Sequence, residues 1–596
     1  MATPADRIAA LRGQLALTGL QACLAPTADP HLSEYLPAHW AVREWLSGFD
    51  GSAGSLLVTA DFAGLWTDSR YWAQAQSQLQ GSGITLMRAG AADVPDMLDW
   101  AIGHLHQGDR LAVDGRVLDR AAAGRWRAGL DAAGVSLVLD RDPIGAVWAD
   151  RPALPSAAVF EHLPPHACRS RADNLAAVRH AMQAHGADHH LLSSLDDIAW
   201  LLNLRGADVD YNPVFLAHAL LDAHQVRLYV APGKVPADLA ARLAADGIGL
   251  RDYTALADDL AALALNATLL VDPVRVTAGT LSHAPQVHVI EAINPSQLLK
   301  SVKNAAEADN IRQAMAQDGA ALCEFFAWFE SAQSAGDRVT EIDVDTRLSA
   351  ARARRPGFVS LSFSTIAGFN ANGAMPHYRA TESSHAEIQG DGLLLIDSGG
   401  QYLGGTTDIT RVVPVGTPSA AQRADYTAVL QAHIALARAQ FPVDTASSVL
   451  DAVARMPLWR RGLDYGHGTG HGVGYFLNVH EGPQSISVRG HMRAHQGMQA
   501  GMLTSNEPGL YRDGKWGIRI ENLVLAVPAA QTAFGSFLGF ETVTMCPIDT
   551  RCVVRELLSA DEINWLDGYH RQVRERLLPL VDGAARDWLL ARTEPL

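Results

Sequence analysis

Cysteine is scarce and forms no pattern. The five cysteines (Cys23, Cys168, Cys323, Cys546 and Cys552) are scattered, odd in number and never spaced Cys-x-x-Cys. This signals neither a disulfide framework nor a zinc ribbon, and it fits a reducing cytoplasm. Long apolar runs are missing too, so no transmembrane helix and no membrane partner are expected. Lys plus Arg number 48 against 64 acids, a formal net charge of −16. No basic stripe breaks that deficit, which argues against a nucleic-acid partner. The mildly apolar stretch 14–24 follows Arg7 and Arg12 but does not read as a secretion signal. Ile8, Leu11 and Leu15 have helical spacing, Gly19 ends it, and Leu20, Ala22 and Leu24 alternate as in a strand.

What is present describes an ordinary globular protein of several domains. At 596 residues, the chain exceeds what one hydrophobic core supports. We expect domains at 1–155, 156–305 and 306–596, with proline and aspartate between Asp140 and Pro155 marking a linker. The first two regions alternate strand and helix, with strands at 55–59 and 64–68 and a helix at 71–79, which implies mixed or parallel sheets. They also look like copies. Leu11-Arg12 followed by Gly19 corresponds to Val178-Arg179 followed by Gly186, Asp29 falls on Asp196 at that offset, and Trp45 parallels Trp200 after a shorter connection. In the third region the spacing predicts a long amphipathic helix over 305–330. A second helix is capped by Thr340-Glu341-Ile342-Asp343. A strand over 358–366, helices over 419–440 and 445–459, a closing strand near Phe540, and terminal helices covering the surface over 562–580 and 587–590 complete the pattern.

The residues that carry chemistry lie between Leu393 and Glu521. Leu393-Leu394-Leu395-Ile396-Asp397, a glycine-rich connection and Asp408-Ile409-Thr410-Arg411-Val412-Val413 read as a β-hairpin that brings Asp397 and Asp408 onto neighbouring strands. A second hairpin, turning at Asp513-Gly514, places Glu507 and Glu521 in the same way. Between them, Tyr465 to Gly474 holds five glycines with His467 and His471 four residues apart. Glycine costs about 1 kcal/mol against alanine in a helix, so a loop that approaches a ligand closely is expected. Carboxylates at otherwise apolar hairpin positions must be paired or metal-bound. Four negative charges match two divalent cations, and an oxygen-rich set with one imidazole suits manganese, with zinc or cobalt as alternatives. Two such ions share a hydroxide nucleophile and polarise a carbonyl.

Asp397, Asp408, His471, Glu507 and Glu521, in this order, resemble the five metal ligands of the pita-bread metallopeptidases, the superfamily of methionine aminopeptidase, prolidase and aminopeptidase P. The flanking words are most similar to aminopeptidase P: Met375-Pro376-His377-Tyr378, the glycine loop, Val479-His480-Glu481-Gly482-Pro483, Ser505-Asn506-Glu507-Pro508-Gly509 and Gly517-Ile518-Arg519-Ile520-Glu521-Asn522. The resemblance is to the long, three-domain, cytosolic Xaa-Pro aminopeptidases and covers nearly the whole chain. It implies an α/β plus α+β fold: two duplicated creatinase-like N-terminal domains, then a pita-bread catalytic domain. It implies release of the residue before proline from Xaa-Pro peptides by a hydroxide bridging two metals, and a cytoplasmic homodimer. By resemblance, Asp408 and Glu521 bridge both ions, Asp397 completes one, and His471 and Glu507 complete the other. Glu507 also takes the proton from the bridging water. His377 and His480 contact substrate or the tetrahedral oxyanion, and His467 lines the proline pocket. Arg519 locks a ligand carboxylate or binds the peptide, and Tyr511 resembles a substrate-side tyrosine.

Three other readings of the same residues compete. A prolidase shares the metals but cuts only dipeptides, and the duplicated N-terminal half argues against it. A creatinase-like hydrolase works without metals, and a non-catalytic pita-bread module binds partners such as histones. The intact ligand set opposes both.

Overall fold

The computed structural model describes residues 2–488 and 497–596. The chain divides into two compact units. One holds Met1–Leu163 and Arg169–Gln297, the other Pro164–Cys168 and Leu298–Leu596.

The first unit contains the same sheet twice. Its first sheet has six strands. Across the sheet they run Thr85–Arg88, Ala63–Thr67, Ser55–Thr59, Ala22–Pro26, Arg110–Ala112 and Ser136–Val138. The second sheet runs Ile248–Asp252, Val226–Val230, Ala217–Leu221, His189–Leu192, Thr268–Val271 and His288–Glu291. Counted across, each has the same senses: a parallel pair, two antiparallel pairs, then two parallel pairs. The repeat seen in the sequence is therefore a repeat of topology. Local chemistry explains its signposts. The helix Pro4–Thr18 starts on a Thr3 capping box closed by Asp6 and stops at Gly19, whose φ of 66° is left-handed. Leu11 and Leu15 of this helix are buried, and the strand Ala22–Pro26 follows. In the second copy the helix Arg171–Ala184 is capped by Ser170, and Gly186 again has a positive φ, 68°. The helices carrying Trp45 and Trp200 both end in left-handed residues, Gly48 and Asn203.

The second unit is built around the helix Ala305–Ala335, which extends beyond the span expected from periodicity. Asn304 and Glu307 form its capping box, and Gly336 ends it with a φ of 74°. Ile311, Met315, Leu322, Phe325, Phe326 and Phe329 are all buried along its inner face. The terminal helices differ from expectation. Instead of merely covering the surface they complete the core, with Leu566, Val573, Leu577, Trp588 and Leu589 buried and Trp588 stacked on Phe326 at 5.3 Å. The region 358–366 is not one strand but two, Phe358–Leu361 and Ile366–Phe369, in different sheets. Just past the first strand, Ser362 donates its amide to the Gly399 carbonyl at 3.1 Å and its hydroxyl to the Thr407 carbonyl at 2.8 Å, and the second strand then pairs with Gly392–Ser398 instead.

Two β-ribbons converge at the centre. In one, Gly392–Ser398 pairs with Ile409–Val415, setting Asp397 opposite Thr410. In the other, Leu503–Asn506 pairs with Asn522–Thr532, and the chain then bends into a second ladder of Gly509–Arg512 with Trp516–Arg519. Glu507 and Glu521 occupy the corner between the two ladders. Buried Arg411 ties the ribbons together. Its guanidinium donates to the carbonyls of Thr410, Glu521, Cys546 and Pro547 and to the Asn522 amide oxygen, at 2.6–2.9 Å. Truncation to leucine leaves several buried acceptors unpaired, each worth about 1–3 kcal/mol. We therefore expect Arg411→Leu to lower unfolding free energy in urea by about 3 kcal/mol or more. A change within error would mean that the two ribbons hold together without it.

Candidate metal centre

Each acid is delivered by backbone that could hardly run otherwise. Asp397 lies near the end of Gly392–Ser398, a strand buried along its whole length, and Asp408 immediately precedes the partner strand. The glycine loop is pressed onto the second ribbon. Gly470–His471 pairs with Ser485–Ile486, and a Cβ on Gly470 would sit 1.9 Å from the Ser505 carbonyl oxygen. The Glu507 amide donates to the Thr469 carbonyl at 2.8 Å. Gly517 plays the same part on the far side. A Cβ there would fall 1.7 Å from the Gly373 carbonyl oxygen, so only glycine lets the segment leading to His377 lie against this hairpin.

The side chains then meet. One ligand atom each from Asp408, His471 and Glu521 lies within 4.8 Å of the others. His471 Nε2 is 3.5 Å from Asp408 Oδ2 and 3.4 Å from Glu507 Oε1. His471 Nδ1 is 3.0 Å from the Gly472 carbonyl oxygen, which assigns the proton to Nδ1 and leaves Nε2 presenting a lone pair. A lone pair facing two carboxylate oxygens calls for a cation between them. Asp397 is not one of that trio, though its charge acts on Asp408 and Glu521, and its Oδ2 lies 2.5 Å from Arg519 Nη2. Its other oxygen, Oδ1, is buried and has no hydrogen-bond partner among the described residues.

Burial, with crowding, shifts three of the acids in one direction. Burial, then the charges of Asp397 and Glu507, hold the Asp408 carboxyl well above its ordinary range. Burial, then Asp408, Glu507 and Asp397, do the same to Glu521. Burial pushes Glu507 up to about 7 despite the opposing pull of Arg519. Buried acids in this state recover their charge when a cation joins them. The donor set, rich in carboxylate oxygens with one imidazole and an orphaned Asp397 oxygen, fits two divalent ions.

The other expected residues surround this group. The His480 ring packs edge-on against His471 with centroids 4.3 Å apart. The next residue, buried Glu481, receives Lys303 Nζ at 2.6 Å. His467 Nδ1 faces the Gly468 carbonyl at 2.8 Å, so Nε2 accepts from the Tyr511 hydroxyl at 2.9 Å. The Tyr511 oxygen in turn accepts from Arg519 Nη1 at 2.6 Å, and burial raises its phenol to about 12. His377 is half-buried, next to Pro376, whose carbonyl accepts from Arg519 Nη2 at 3.4 Å. Arg519 is thus buried with its donors on Asp397, Thr410, Tyr511 and Pro376.

Two residues were not anticipated. The Thr410 hydroxyl donates to Glu521 Oε2 at 2.8 Å and accepts from Arg519 Nε at 3.1 Å. The Ser505 hydroxyl donates to Glu507 Oε1 at 3.1 Å and accepts from the His471 amide at 2.9 Å. Strand hydroxyls are too common for the sequence to single these out. Only the register of the ladders aims them.

Comparison with known proteins agrees with this geometry. Two profiles of the creatinase/prolidase N-terminal domain match residues 7–141 and 150–307, metallopeptidase family M24 matches 309–528, and the C-terminal region of that peptidase matches 536–596. A creatinase-type N-terminal half before an M24 domain defines a pita-bread metallopeptidase. Aminopeptidase P2 of Arabidopsis thaliana is 40% identical over 97% of this chain and 86% of its own length. A probable Xaa-Pro aminopeptidase P of Laccaria bicolor is 40% identical over 99% and 93%. The crystal structure of X-prolyl aminopeptidase from Caenorhabditis elegans, described as a cytosolic enzyme with a di-nuclear active site, superimposes with a TM-score of 0.95. It is 32% identical and covers 100% of both chains. The chain belongs to the Xaa-Pro aminopeptidase (aminopeptidase P) family.

The raised carboxyls make a stability prediction for chelator-treated protein. Glu507 at about 7, against an ordinary 4.5, binds its proton more tightly folded than unfolded. Its contribution is therefore present below 4.5 and lost as pH rises through 7. Asp408 and Glu521 act in the same sense. The Tm of metal-free protein should fall between about pH 5 and pH 8, the fall should shrink in Glu507→Gln, and added Mn²⁺ should raise Tm more at the higher pH. A Glu507→Gln profile parallel to wild type would show that Glu507 is not under this pressure.

Proposed function

We propose that this protein releases the N-terminal residue from peptides with proline at the second position, at a centre of two divalent metal ions. Manganese is the first choice and zinc or cobalt the alternatives. The observation that carries the reading is the convergence of Asp408, His471 and Glu521, with Glu507 and Asp397 alongside, in a chain whose family membership extends over almost its whole length. In this reading Asp408 and Glu521 would be shared between the ions, Asp397 would serve one, and His471 and Glu507 would serve the other. When bound, the two ions supply a hydroxide nucleophile at neutral pH and polarise the scissile carbonyl.

The chain's own residues do the rest. Arg519 and Thr410 hold Asp397 and Glu521 in place, as supporting residues around metal ligands do. Glu507, 3.4 Å from His471 Nε2 and oriented by the Ser505 hydroxyl, is assigned to receive the nucleophile's proton. His480, packed on His471, and His377 are assigned to the developing oxyanion and the substrate backbone. His467 and Tyr511 are assigned to the proline side. A bond before proline is a tertiary amide without N–H, so the site must select by shape and cannot use that donor.

The three-part division at 1–155, 156–305 and 306–596, a homodimer and a cytoplasmic location belong to the same proposal. The doubled sheet supports the first. The C. elegans relative, described as cytosolic, supports the last. Among the described residues, no helix is long and apolar enough to cross a membrane.

The deciding assay compares an Xaa-Pro-Yaa tripeptide with the Xaa-Pro dipeptide, with metal content measured on the same samples. Cleavage of the tripeptide at two ions per chain is expected. Activity confined to the dipeptide would instead make this a prolidase. Asp408→Asn or Glu521→Gln should abolish turnover and lose both ions, whereas His377→Ala should keep metal and slow hydrolysis by about 10²-fold. Near-normal rates in either acid variant would refute the shared-metal assignment.

A further inference from the structure

Behind the glycine loop, the helix Ser447–Trp459 carries a buried ion pair that the chemistry above does not use. Asp451 and Arg455 are 0% and 3% exposed, one helical turn apart, with Arg455 Nε 2.9 Å from Asp451 Oδ1. The remaining nitrogens of Arg455 turn onto the loop. Nη1 donates to the Tyr465 carbonyl at 2.8 Å and to the Asp464 carboxylate at 2.7 Å, and Nη2 donates to the His467 carbonyl at 2.6 Å. The guanidinium also lies over the Tyr465 ring, 3.9 Å from its centre. Asp451 accepts the Thr469 hydroxyl and the Val488 amide, and Thr469 Oγ1 meets the Tyr465 hydroxyl.

A loop with glycine at 466, 468, 470, 472 and 474 has little stiffness of its own. Its two histidines are held by different means. His471 is fixed by Ser505 and by the pairing of Gly470–His471 with Ser485–Ile486. The backbone at His467 takes its support from Arg455. One planar fork reaches carbonyls two residues apart, a geometry that lysine's point charge does not reproduce. From there the His467 ring leads to Tyr511, Arg519 and Asp397 through successive hydrogen bonds.

We infer that Arg455, braced by Asp451, is a positioning residue that sets His467, and through it Tyr511, against the substrate while leaving metal retention to other supports. The inference rests on the proposed Xaa-Pro peptidase reading and specifies what governs substrate binding at that site.

The test uses full-length protein loaded with Mn²⁺, an Xaa-Pro-Yaa tripeptide, and metal analysis after dialysis. Arg455→Lys should raise KM about tenfold or more and change kcat by less than about threefold, with the metal content of wild type. In a His467→Ala background, Arg455→Lys should add nothing further to KM, because the pathway it supports is already gone. Asp451→Asn, which keeps the side-chain shape, carries the same two measurements if the lysine variant is recovered unfolded. An unchanged KM, a loss of metal in step with activity, or additive effects in the double variant overturn the inference. Wild-type protein that binds Mn²⁺ but leaves the tripeptide intact would sink the peptidase reading, a separate failure.

Discussion

The burial of several carboxylates, sharpened by their mutual repulsion, is the constraint on which the rest of the catalytic unit depends. Asp408 and Glu521 are almost wholly buried, with Glu507 and Asp397 close by. Left to themselves, such acids hold protons they would ordinarily release. The fold does not relieve this by pairing each acid with its own base. It supplies Arg519 to one oxygen of Asp397 and leaves Asp397 Oδ1 without a partner among the described residues. The His471 lone pair faces the carboxylates of Asp408 and Glu507. A polypeptide that spends its folding free energy on this arrangement has built a place for cations.

Three buried arginines keep that arrangement from relaxing, each on a different layer. Arg411 binds the two ribbons through backbone carbonyls, so the acids approach one another because their strands do. Arg519 orients Asp397 and Tyr511 directly. Arg455 works one layer further out, on the carbonyls of the glycine loop. Arginine suits all three positions because its planar fork reaches several oxygens at once and stays charged when buried. The glycines make the complementary contribution. At Gly470 and Gly517 the backbones pass so close that no side chain fits.

The relation between chain and fold is uneven along the protein. Helix starts were readable at Thr340 and Ser419, since a cap is a local interaction between residues three apart, but the box at Ser559 was passed over and its helix read as starting two residues late. The doubled N-terminal architecture was readable from a few aligned positions, because Gly19 and Gly186 end helices for the same steric reason. The division of 358–366 into two strands was not readable. It depends on the two halves pairing with different strands, Gly400–Tyr402 and Gly392–Ser398, both distant in sequence. Nor was the core role of the last helix, whose Trp588 finds Phe326 only in the folded molecule. Thr410, Ser505 and the Arg455–Asp451 pair escaped notice for that reason too. A hydroxyl or an ion pair one turn apart carries no signal until ladder register and helix packing aim it.

By itself, the sequence determined the chemical inventory: four acids and an imidazole in fixed order, with glycines where backbones must nearly touch and turns where ribbons must reverse. These are properties of residue type and short spacing, expressed within a few residues of where they are written. The tertiary structure decided which oxygen is satisfied and which is left bare, which imidazole nitrogen faces the acids, and which arginine holds which carbonyl. Those outcomes depend on residues more than a hundred positions apart, such as Thr410 with Glu521 or Asp397 with Arg519, and only the packed chain brings them within hydrogen-bonding distance.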